Sequence, residues 1–346
     1  MVTKRHAGIA PACGFAVEPG GGIGFSASVG TDRDELAADL QQLAARQVFL
    51  GTSSWKYPGW FGSIYERDRY IWRGRFSNSR FERDCLAEYA RVFPTVSVDA
   101  TYYKFPDEAF LQGLAAQVPP GFQFAFKVCD EITLKHYPSL PRFGARAGRA
   151  NPHFLDAARF SDSFLAPCEG IRPHVGLIMF EFSRFHTGDF ARGSDFVAAL
   201  ETFLAALPRG WPYGIELRNR HWLHPDYFAL LARHGVTHIY NAWSDMPPVE
   251  EQRALPGSDT NPSLLAARYL LREGRPYEEA VRRFHPYADV QEPNTSARTA
   301  AAALARRGLN SKGLTKVFQF VNNRFEGHAP AMIRAVAQAA KAALNA

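Results

Sequence analysis

Short apolar segments alternate with segments of helical periodicity along most of the chain. The apolar segments carry few charges and are typical of strands that are buried on both faces. The predicted strands are residues 48–53, 95–100, 122–127, 175–182, 213–217, 236–241, 264–271 and 316–323. The predicted helices are residues 32–46, 85–93, 107–118, 154–165, 196–207, 225–234, 277–284, 296–307 and 329–344.

This alternation predicts a parallel sheet whose strands are joined by crossover helices. Eight such units in about 300 residues fit an α/β fold of one closed (β/α)8 TIM barrel, and a doubly wound open sheet is the alternative. The first strand is not followed by a GxGxxG pattern, which disfavours a dinucleotide fold. We expect a flexible tail at residues 1–30, one barrel domain at 31–346, and a long insertion at 130–170, after the third strand.

The fifth predicted strand carries charges on the face that should point into the barrel. Gly214, Glu216 and Arg218 share one face by the two-residue period, and Ile215 and Leu217 share the other. Charged groups that face inward need partners, a ligand or water, because burying them alone is costly. The stretch therefore predicts a polar pocket at one end of the barrel.

Sites in such barrels lie at the carboxyl ends of the strands. Lys127 on strand three and Glu216 on strand five belong to one layer of inward side chains, whereas Asp99 and Asn241 belong to the other. The remaining candidates at strand ends are Ser53, Trp55, Tyr102, Glu181, Arg218, His221, Trp243, Asn322, Asn323 and His328. The alternative is an internal network of ion pairs and amides, including a Lys127–Glu216 pair, that only fixes the barrel register.

Composition restricts the classes of protein to consider. The chain has 346 residues, 46% of them hydrophobic, a net charge of +6 and 4 isolated cysteines. The charge is dispersed and permits an anionic partner. The cysteines form neither a disulfide scaffold nor a zinc pattern, so we expect reduced thiols and a cytoplasmic location. No signal peptide or membrane span is apparent in the sequence.

Two segments combine aromatic rings with polar or basic residues. Residues 54–62 carry four rings among turn residues, and either pack on the barrel rim or form a stacking wall of a cleft. Residues 67–83 alternate arginines with rings such as Trp72 and Phe76. This pattern fits a nucleic-acid backbone, or arginine stems that simply cover apolar surface.

A metal site would draw on Asp99, Glu216, His221 and His328. Barrels that bind divalent ions need several convergent histidines and carboxylates, and the supply here is thin. We therefore expect no metal and no other cofactor, with a divalent ion as the alternative.

Several motifs, taken in order, resemble those of the family called domain of unknown function 72, or YecE-like. They are Gly51-Thr52-Ser53-Ser54-Trp55, Thr101-Tyr102-Tyr103, Phe126-Lys127, Glu216-Leu217-Arg218, Asn322-Asn323 and Glu326-Gly327-His328-Ala329-Pro330. The resemblance begins near residue 48 and implies a TIM barrel without a settled activity. Many members carry a glutamate at the position of Ser97 and an asparagine at that of Asp99, so this chain departs from the pattern.

We expect an enzyme, a hydrolase or isomerase, that acts on a small anionic or sugar-like molecule. Glu216 would be the general acid/base, with Asp99 as a further catalytic group, and Lys127 would assist catalysis by holding an anionic group. The expected substrate-binding residues are Ser53, Trp55, Tyr102, Arg218, Asn241, Trp243, Asn322, Asn323 and His328. The alternatives are a repair-like barrel that binds nucleic acid and a metabolite-binding protein without turnover, and no membrane partner is expected.

Overall fold

The computed structural model describes residues 28–342, with side chains described from residue 32 onward. A flexible tail was expected at residues 1–30, and residues 1–27 of it lie outside the described range. Residues 28–30 belong to the first helix, which begins at Ser28 and not at residue 32 as predicted.

Eight parallel strands close into a barrel, as the sequence predicts. They are β1 (Val48–Thr52), β2 (Thr95–Val98), β3 (Gln123–Lys127), β4 (Val175–Phe182), β5 (Tyr213–Leu217), β6 (Thr237–Ala242), β7 (Leu264–Tyr269) and β8 (Lys316–Val321). Each strand pairs with its sequence neighbours, and β1 closes the ring by pairing with β8. Nearly every strand residue is buried, which is why the strands are apolar on both faces.

Aromatic and aliphatic side chains fill the amino-terminal half of the barrel interior. The rings of Phe49 and Phe318 stack with centroids 4.9 Å apart, beside Leu177, Met179 and Ile239. Counting two residues onward along the strands leads from this apolar layer to charged positions near the strand ends. The interior therefore changes from apolar to ionic toward the carboxyl end.

Helices surround the barrel on its outer side. The α-helices of six residues or more are α1 (Ser28–Ala44), α2 (Asn78–Tyr89), α3 (Glu108–Ala115), α4 (Gly193–Ala206), α5 (Pro225–His234), α6 (Val249–Ala254), α7 (Tyr277–Phe284), α8 (Thr295–Asn310) and α9 (Ala329–Ala342). The bounds of α5 and α7 agree with the prediction. The helix expected at 154–165 is present from Ala157, as the α-helical turn Ala157–Phe160 followed by the π-helical turn Ser161–Leu165, whereas α6 was not predicted.

The long segment between β3 and β4 is present as an insertion with its own small core. Leu134, Tyr137 and Phe143 form an apolar cluster there.

A hairpin between β1 and α2 was not predicted. In it, Ile71–Trp72 pairs with Arg75–Phe76. Its two turn residues both have positive φ, the geometry that joins a tight two-residue hairpin.

Among residues 28–342, no helix combines the length and the apolar character that a membrane span requires.

Candidate functional site

Charged side chains from separate strands meet inside the carboxyl end of the barrel. Lys127 ends β3, Glu181 lies on β4, Glu216 lies on β5, and Arg218 directly follows β5. Arg268 reaches the same place from β7. All five are buried, with exposed fractions between 0% and 5%.

These five side chains form one continuous ion network. Glu181 Oε2 lies 2.7 Å from Lys127 Nζ, 2.8 Å from Arg218 Nη2 and 3.2 Å from Arg268 Nη1. Arg218 Nε donates to Glu216 Oε1 at 2.7 Å, and Arg268 Nη1 donates to Glu216 Oε2 at 2.5 Å. Both carboxylates are thus bridged by both arginines.

The network keeps Glu181 and Arg268 charged despite their burial. Burial alone would raise the pKa of Glu181, but Arg218, Lys127 and Arg268 outweigh it and lower the pKa to about 2. Burial likewise opposes the charge on Arg268, and Glu216, Asp99 and Glu181 together raise its pKa above the usual value. Glu181 is therefore a permanent anion near neutral pH and has no proton to donate.

Aromatic rings cover two of the cations. Lys127 Nζ lies 3.6 Å from the centroid of the Tyr102 ring, and the guanidinium carbon of Arg218 lies 3.9 Å from that of Trp243. A cation held against a ring face gains electrostatic stabilisation that helps to replace lost hydration. Tyr102 and Trp243, expected to stack on a substrate, thus contact cations of the chain itself.

Asp99 is the carboxylate at the edge of this network that solvent reaches. Its side chain is 38% exposed, and its Oδ1 lies 3.7 Å from Arg268 Nη2. That oxygen is buried and accepts no hydrogen bond from the described residues. Asp99 is therefore linked electrostatically to the buried network yet accessible from outside.

A cavity of about 550 Å³ opens over the loops that follow β4 to β7. Arg218 lines it together with Trp222 and His221. Two ion pairs join the loops around it, because Arg184 lies 3.2 Å from Asp245 and Arg220 lies 3.7 Å from Glu273. Arg218 thus belongs both to the buried network and to the wall of an open cavity.

The sequence pattern predicted that Lys127 and Glu216 lie in one layer of inward side chains, and both belong to the ion network. Their pairing differs from the expected one, since Lys127 pairs with Glu181 and Glu216 pairs with the two arginines. Sequence reasoning missed Arg268. The signal was the period of two along β7, where Leu264 and Ala266 face the interior and Arg268 follows on the same face.

Asn241 is held by the chain itself. Its backbone N–H donates to Gln252 Oε1 at 3.2 Å, its carbonyl accepts from Gln252 Nε2 at 2.6 Å, and its Nδ2 donates to the Leu217 carbonyl at 3.2 Å. Its Oδ1 is buried without a hydrogen-bond partner among the described residues, as is the hydroxyl of Ser53. Asn241 in β6 and Ser53, which directly follows β1, therefore each have one unsatisfied polar atom.

The predicted residues after β8 make contacts that shape the helix ends. Asn322 Oδ1 accepts from the Arg324 amide at 3.0 Å, and Asn323 Oδ1 accepts from the Ala329 amide at 2.8 Å. His328 Nδ1 accepts from the Ala331 amide at 3.2 Å, and burial lowers the pKa of His328 to about 4. The polar contacts described for these side chains are thus to backbone amides.

The aromatic loop at residues 54–62 packs largely against the barrel rim. Trp55 is 7% exposed and Trp60 is fully buried. Phe61 contacts the rings of Tyr70, Phe76 and others. Trp55 therefore offers little ring surface to a ligand, whereas Tyr57 in the same loop is half-buried.

The described residues contain no group of three or more histidine, cysteine, aspartate or glutamate side chains placed to hold a metal ion. Asp99, Glu216, His221 and His328, the residues considered for a divalent ion, therefore do not converge as ligands.

The model of one protein family, described as protein of unknown function DUF72, matches residues 49–346. Similar solved structures include a DUF72 family protein from Enterococcus faecalis, with a TM-score of 0.57, 19% identity, and 85% of this chain and 95% of that chain covered. Another, from Thermotoga maritima, has a TM-score of 0.52, 18% identity, and 87% and 100% covered. At these identities the likeness shows the fold. No curated protein matches the chain.

Proposed function

Because the chain belongs to the DUF72 family, whose description names no activity, we propose a function from the barrel mouth itself. The protein is an enzyme that acts on a small anionic substrate at the carboxyl face of the barrel. The proposed reaction class is hydrolysis or isomerisation, both of which require a group that exchanges a proton and a cation that holds the anionic part of the substrate.

The observation that carries this proposal is the dual position of Arg218. Its Nε and Nη2 contact the carboxylates of Glu216 and Glu181, and its Nη1 donates no hydrogen bond to a residue that the structure describes. The same side chain lines the 550 Å³ cavity. A rigidly held guanidinium with a free N–H edge on a cavity is suited to an oxyanion.

The energetic cost of the network supports a functional role. Buried ion pairs rarely stabilise a fold more than apolar side chains of similar volume. Here five charges are buried at the barrel end where sites of this fold lie. If this level of the barrel were purely structural, apolar packing like that around Phe49 and Phe318 would stabilise it more.

The acid/base role is assigned to Asp99 rather than to Glu216. Glu216 is fully buried, and each of its oxygens is bound to an arginine. Asp99 is partly exposed and touches the network only through Arg268. In this assignment Asp99 exchanges the proton with the substrate, and Glu216 positions the two arginines.

The test is turnover of a substrate panel by the full chain. The panel contains p-nitrophenyl phosphate and p-nitrophenyl glycosides, read by absorbance, and sugar phosphates, read by NMR. For any substrate turned over, Asp99→Asn should reduce kcat about 100-fold or more. The control Asp226→Asn changes an exposed aspartate on α5 and should leave kcat unchanged.

The outcomes separate the candidate roles. Loss of turnover in Glu216→Gln with full turnover in Asp99→Asn would return the acid/base role to Glu216. Saturable binding of panel members without any turnover would indicate a metabolite-binding protein instead of an enzyme. Unfolding curves of each variant distinguish a lost group from a lost fold.

A second candidate function rests on the hairpin near residue 72. Trp72 is 56% exposed, with the guanidinium carbon of Arg80 at 4.9 Å and that of Arg73 at 5.9 Å from its ring centroid. An exposed ring beside two arginines suits a stacked base and its phosphate. Labelled single-stranded DNA should then bind at low salt and release steeply with added salt. Unchanged binding by Trp72→Ala would remove this candidate.

A further inference from the structure

Arg324 lies beyond β8 in a setting unlike that of the network arginines. Its guanidinium carbon is 4.6 Å from the centroid of the Tyr277 ring. Tyr57 and Tyr287 form an edge-on pair beside it, with centroids 5.6 Å apart, and both act electrostatically on Arg324. Three tyrosines from three different segments thus surround one cation.

No carboxylate neutralises Arg324 among the residues that the structure describes. The carboxylate of Asp99 acts on Arg324 electrostatically, but no Asp99 oxygen lies within 4 Å of the guanidinium nitrogens. The Nε atom of Arg324 is buried and has no hydrogen-bond partner among those residues. A half-buried guanidinium without a counter-charge is unfavourable unless a ligand supplies one.

The charge balance of the barrel mouth points the same way. Lys127, Arg218 and Arg268 are offset by three carboxylates, those of Glu181, Glu216 and Asp99. Arg324 adds a positive charge that this set leaves unmatched.

The hydroxyls of Tyr57 and Tyr287 beside Arg324 are protonated donors at neutral pH. Burial raises the pKa of Tyr57 to about 12, and burial also raises that of Tyr287. Tyr57 and Tyr277 are half-buried, so solvent and a ligand can reach them. A protonated phenol donates one hydrogen bond to an oxyanion.

The cluster is held rigidly by packing. Tyr57, Tyr277 and Trp243 pack against a small apolar core that contains Leu271 and Tyr287. Gly59 approaches this region so closely that a β-carbon there would lie 2.0 Å from the Pro286 carbonyl oxygen. The loop after β1 is therefore fixed against the segment that carries Tyr287, which keeps the phenol groups in place around the guanidinium.

We propose that Arg324, with Tyr57, Tyr277 and Tyr287, binds the phosphate group of a phosphorylated small molecule. A guanidinium provides two parallel N–H donors, and the phenols add donors from other directions. A phosphate offers more acceptor oxygens than a carboxylate does, and its two negative charges meet the unmatched cation despite the nearby Asp99. The shared chemistry of free phosphate and a phosphate ester is therefore the ligand class.

This inference deepens the proposed function and rests on it for the identity of the rest of the substrate. Trp243 packs against the same apolar core as Tyr57 and Tyr277, and its ring also contacts Arg218. Gly274 lines the cavity and lies three residues before Tyr277, so the two positions are within about 11 Å along the backbone. A substrate whose phosphate is bound at Arg324 would extend toward the cavity and Asp99.

The test is isothermal titration of the full chain with inorganic phosphate and, separately, with glycerol 3-phosphate. Arg324→Met should weaken binding of both ligands about tenfold or more, as expected for losing a charge-assisted hydrogen bond. The control Arg209→Met alters an exposed arginine before β5, at the opposite end of the barrel, and should keep wild-type affinity. Tighter binding of glycerol 3-phosphate than of inorganic phosphate would identify the ester as the ligand.

A double substitution, Tyr57→Phe with Tyr277→Phe, guards against a folding defect in Arg324→Met. It removes only hydroxyl groups and should weaken phosphate binding severalfold, with the aromatic packing kept. The inference is overturned if the wild-type chain shows no saturable phosphate binding, or if both altered chains bind as the wild type does.

Two further variants keep this inference distinct from the proposed function. If Arg218→Met abolishes phosphate binding while Arg324→Met leaves it intact, the phosphate site is at the cavity, so the inference fails and the proposed function stands. If Arg324→Met loses binding but no substrate is turned over, the phosphate site stands and the proposed enzyme fails. Asp99→Asn removes a negative charge that acts on Arg324 and should strengthen phosphate binding at that site.

Discussion

Glu181 and Glu216 are register partners on the neighbouring strands β4 and β5, so two buried carboxylates lie side by side inside the barrel. Like charges this close repel each other strongly in a low-dielectric interior. Arg218 and Arg268 relieve the repulsion because each of them contacts both carboxylates. The pair is therefore stable only as part of the whole network.

Removing one cation should be costly. In Arg268→Met, Glu216 Oε2 loses its 2.5 Å partner and remains buried. Loss of one partner from a buried ion pair costs about 3–5 kcal/mol. Urea unfolding should show this decrease in the free energy of unfolding, whereas the exposed control Arg209→Met should stay within about 0.5 kcal/mol of wild type. Equal stability of the two variants would contradict the network.

Removing the partner together with the cation should cost less than the separate effects suggest. Glu216→Leu in the Arg268→Met background eliminates the carboxylate that the first change left unpaired. We expect the double variant to lose about 1–3 kcal/mol less free energy of unfolding than the two single variants lose together. The measurement is a double-mutant cycle by urea unfolding. Additive costs would show that Arg268 and Glu216 are not energetically coupled.

Acid should destabilise the fold through two buried histidines. Burial lowers the pKa of His238 to about 3 and that of His328 to about 4, against an ordinary value near 6.5. Below about pH 6.5 the unfolded chain binds protons that the folded chain does not, so the free energy of unfolding falls with pH. For each pH unit below about 6.5, down to its pKa in the folded chain, each histidine lowers the free energy of unfolding by about 1.4 kcal/mol. Above pH 6.5 this loss is absent.

The substitution His238→Phe isolates one of these contributions. Between pH 6 and pH 5 it should remove about half of the histidine-dependent slope in the free energy of unfolding, measured by urea titration at each pH. The control His224→Gln changes an exposed histidine and should leave the slope as it is. A slope unchanged by His238→Phe would show that His238 titrates normally. Glu181, with its pKa of about 2, contributes only at lower pH.

Gln252 should be essential for the position of β6. Its side chain bonds the backbone of Asn241 in both directions and also donates to the Pro247 carbonyl at 2.7 Å. Gln252→Leu leaves these buried groups without partners and should cost about 1–3 kcal/mol by urea unfolding. The matched control is Gln41→Leu, at an exposed site on α1. A cost equal to that of the control would mean that water replaces the lost bonds.

The sequence pattern indicated the position of the candidate site, because polar residues occur at the ends of strands that are otherwise apolar. Lys127 and Glu216 were placed in one layer by the period of two and by the expected barrel order. That reasoning named Glu216 as a partner of Lys127, whereas Lys127 pairs with Glu181 in the structure. The choice depends on distances across strands, which follow from the stagger of the closed barrel.

The tyrosine cluster at Arg324 left no comparable signal. Tyr57 is far from Tyr277 and Tyr287 in the chain, and all three lie in loops or at a helix start. The sequence around each tyrosine, taken alone, indicates an ordinary surface or rim residue. Likewise, Asn322, Asn323 and His328 stood out as polar residues after a strand, but only the folded backbone shows that they accept hydrogen bonds from helix-end amides.

Local patterns alone therefore determined the eight strands, most of the helices and the end of the barrel that carries the charges, because burial of a parallel sheet dictates the residue types along each strand. Closure of the barrel decided which charges meet, how deeply Glu216 is buried and why Asp99 remains accessible. Those properties depend on contacts between residues that are distant in sequence and on the stagger of the strands in the closed barrel, which the pattern along one strand does not fix.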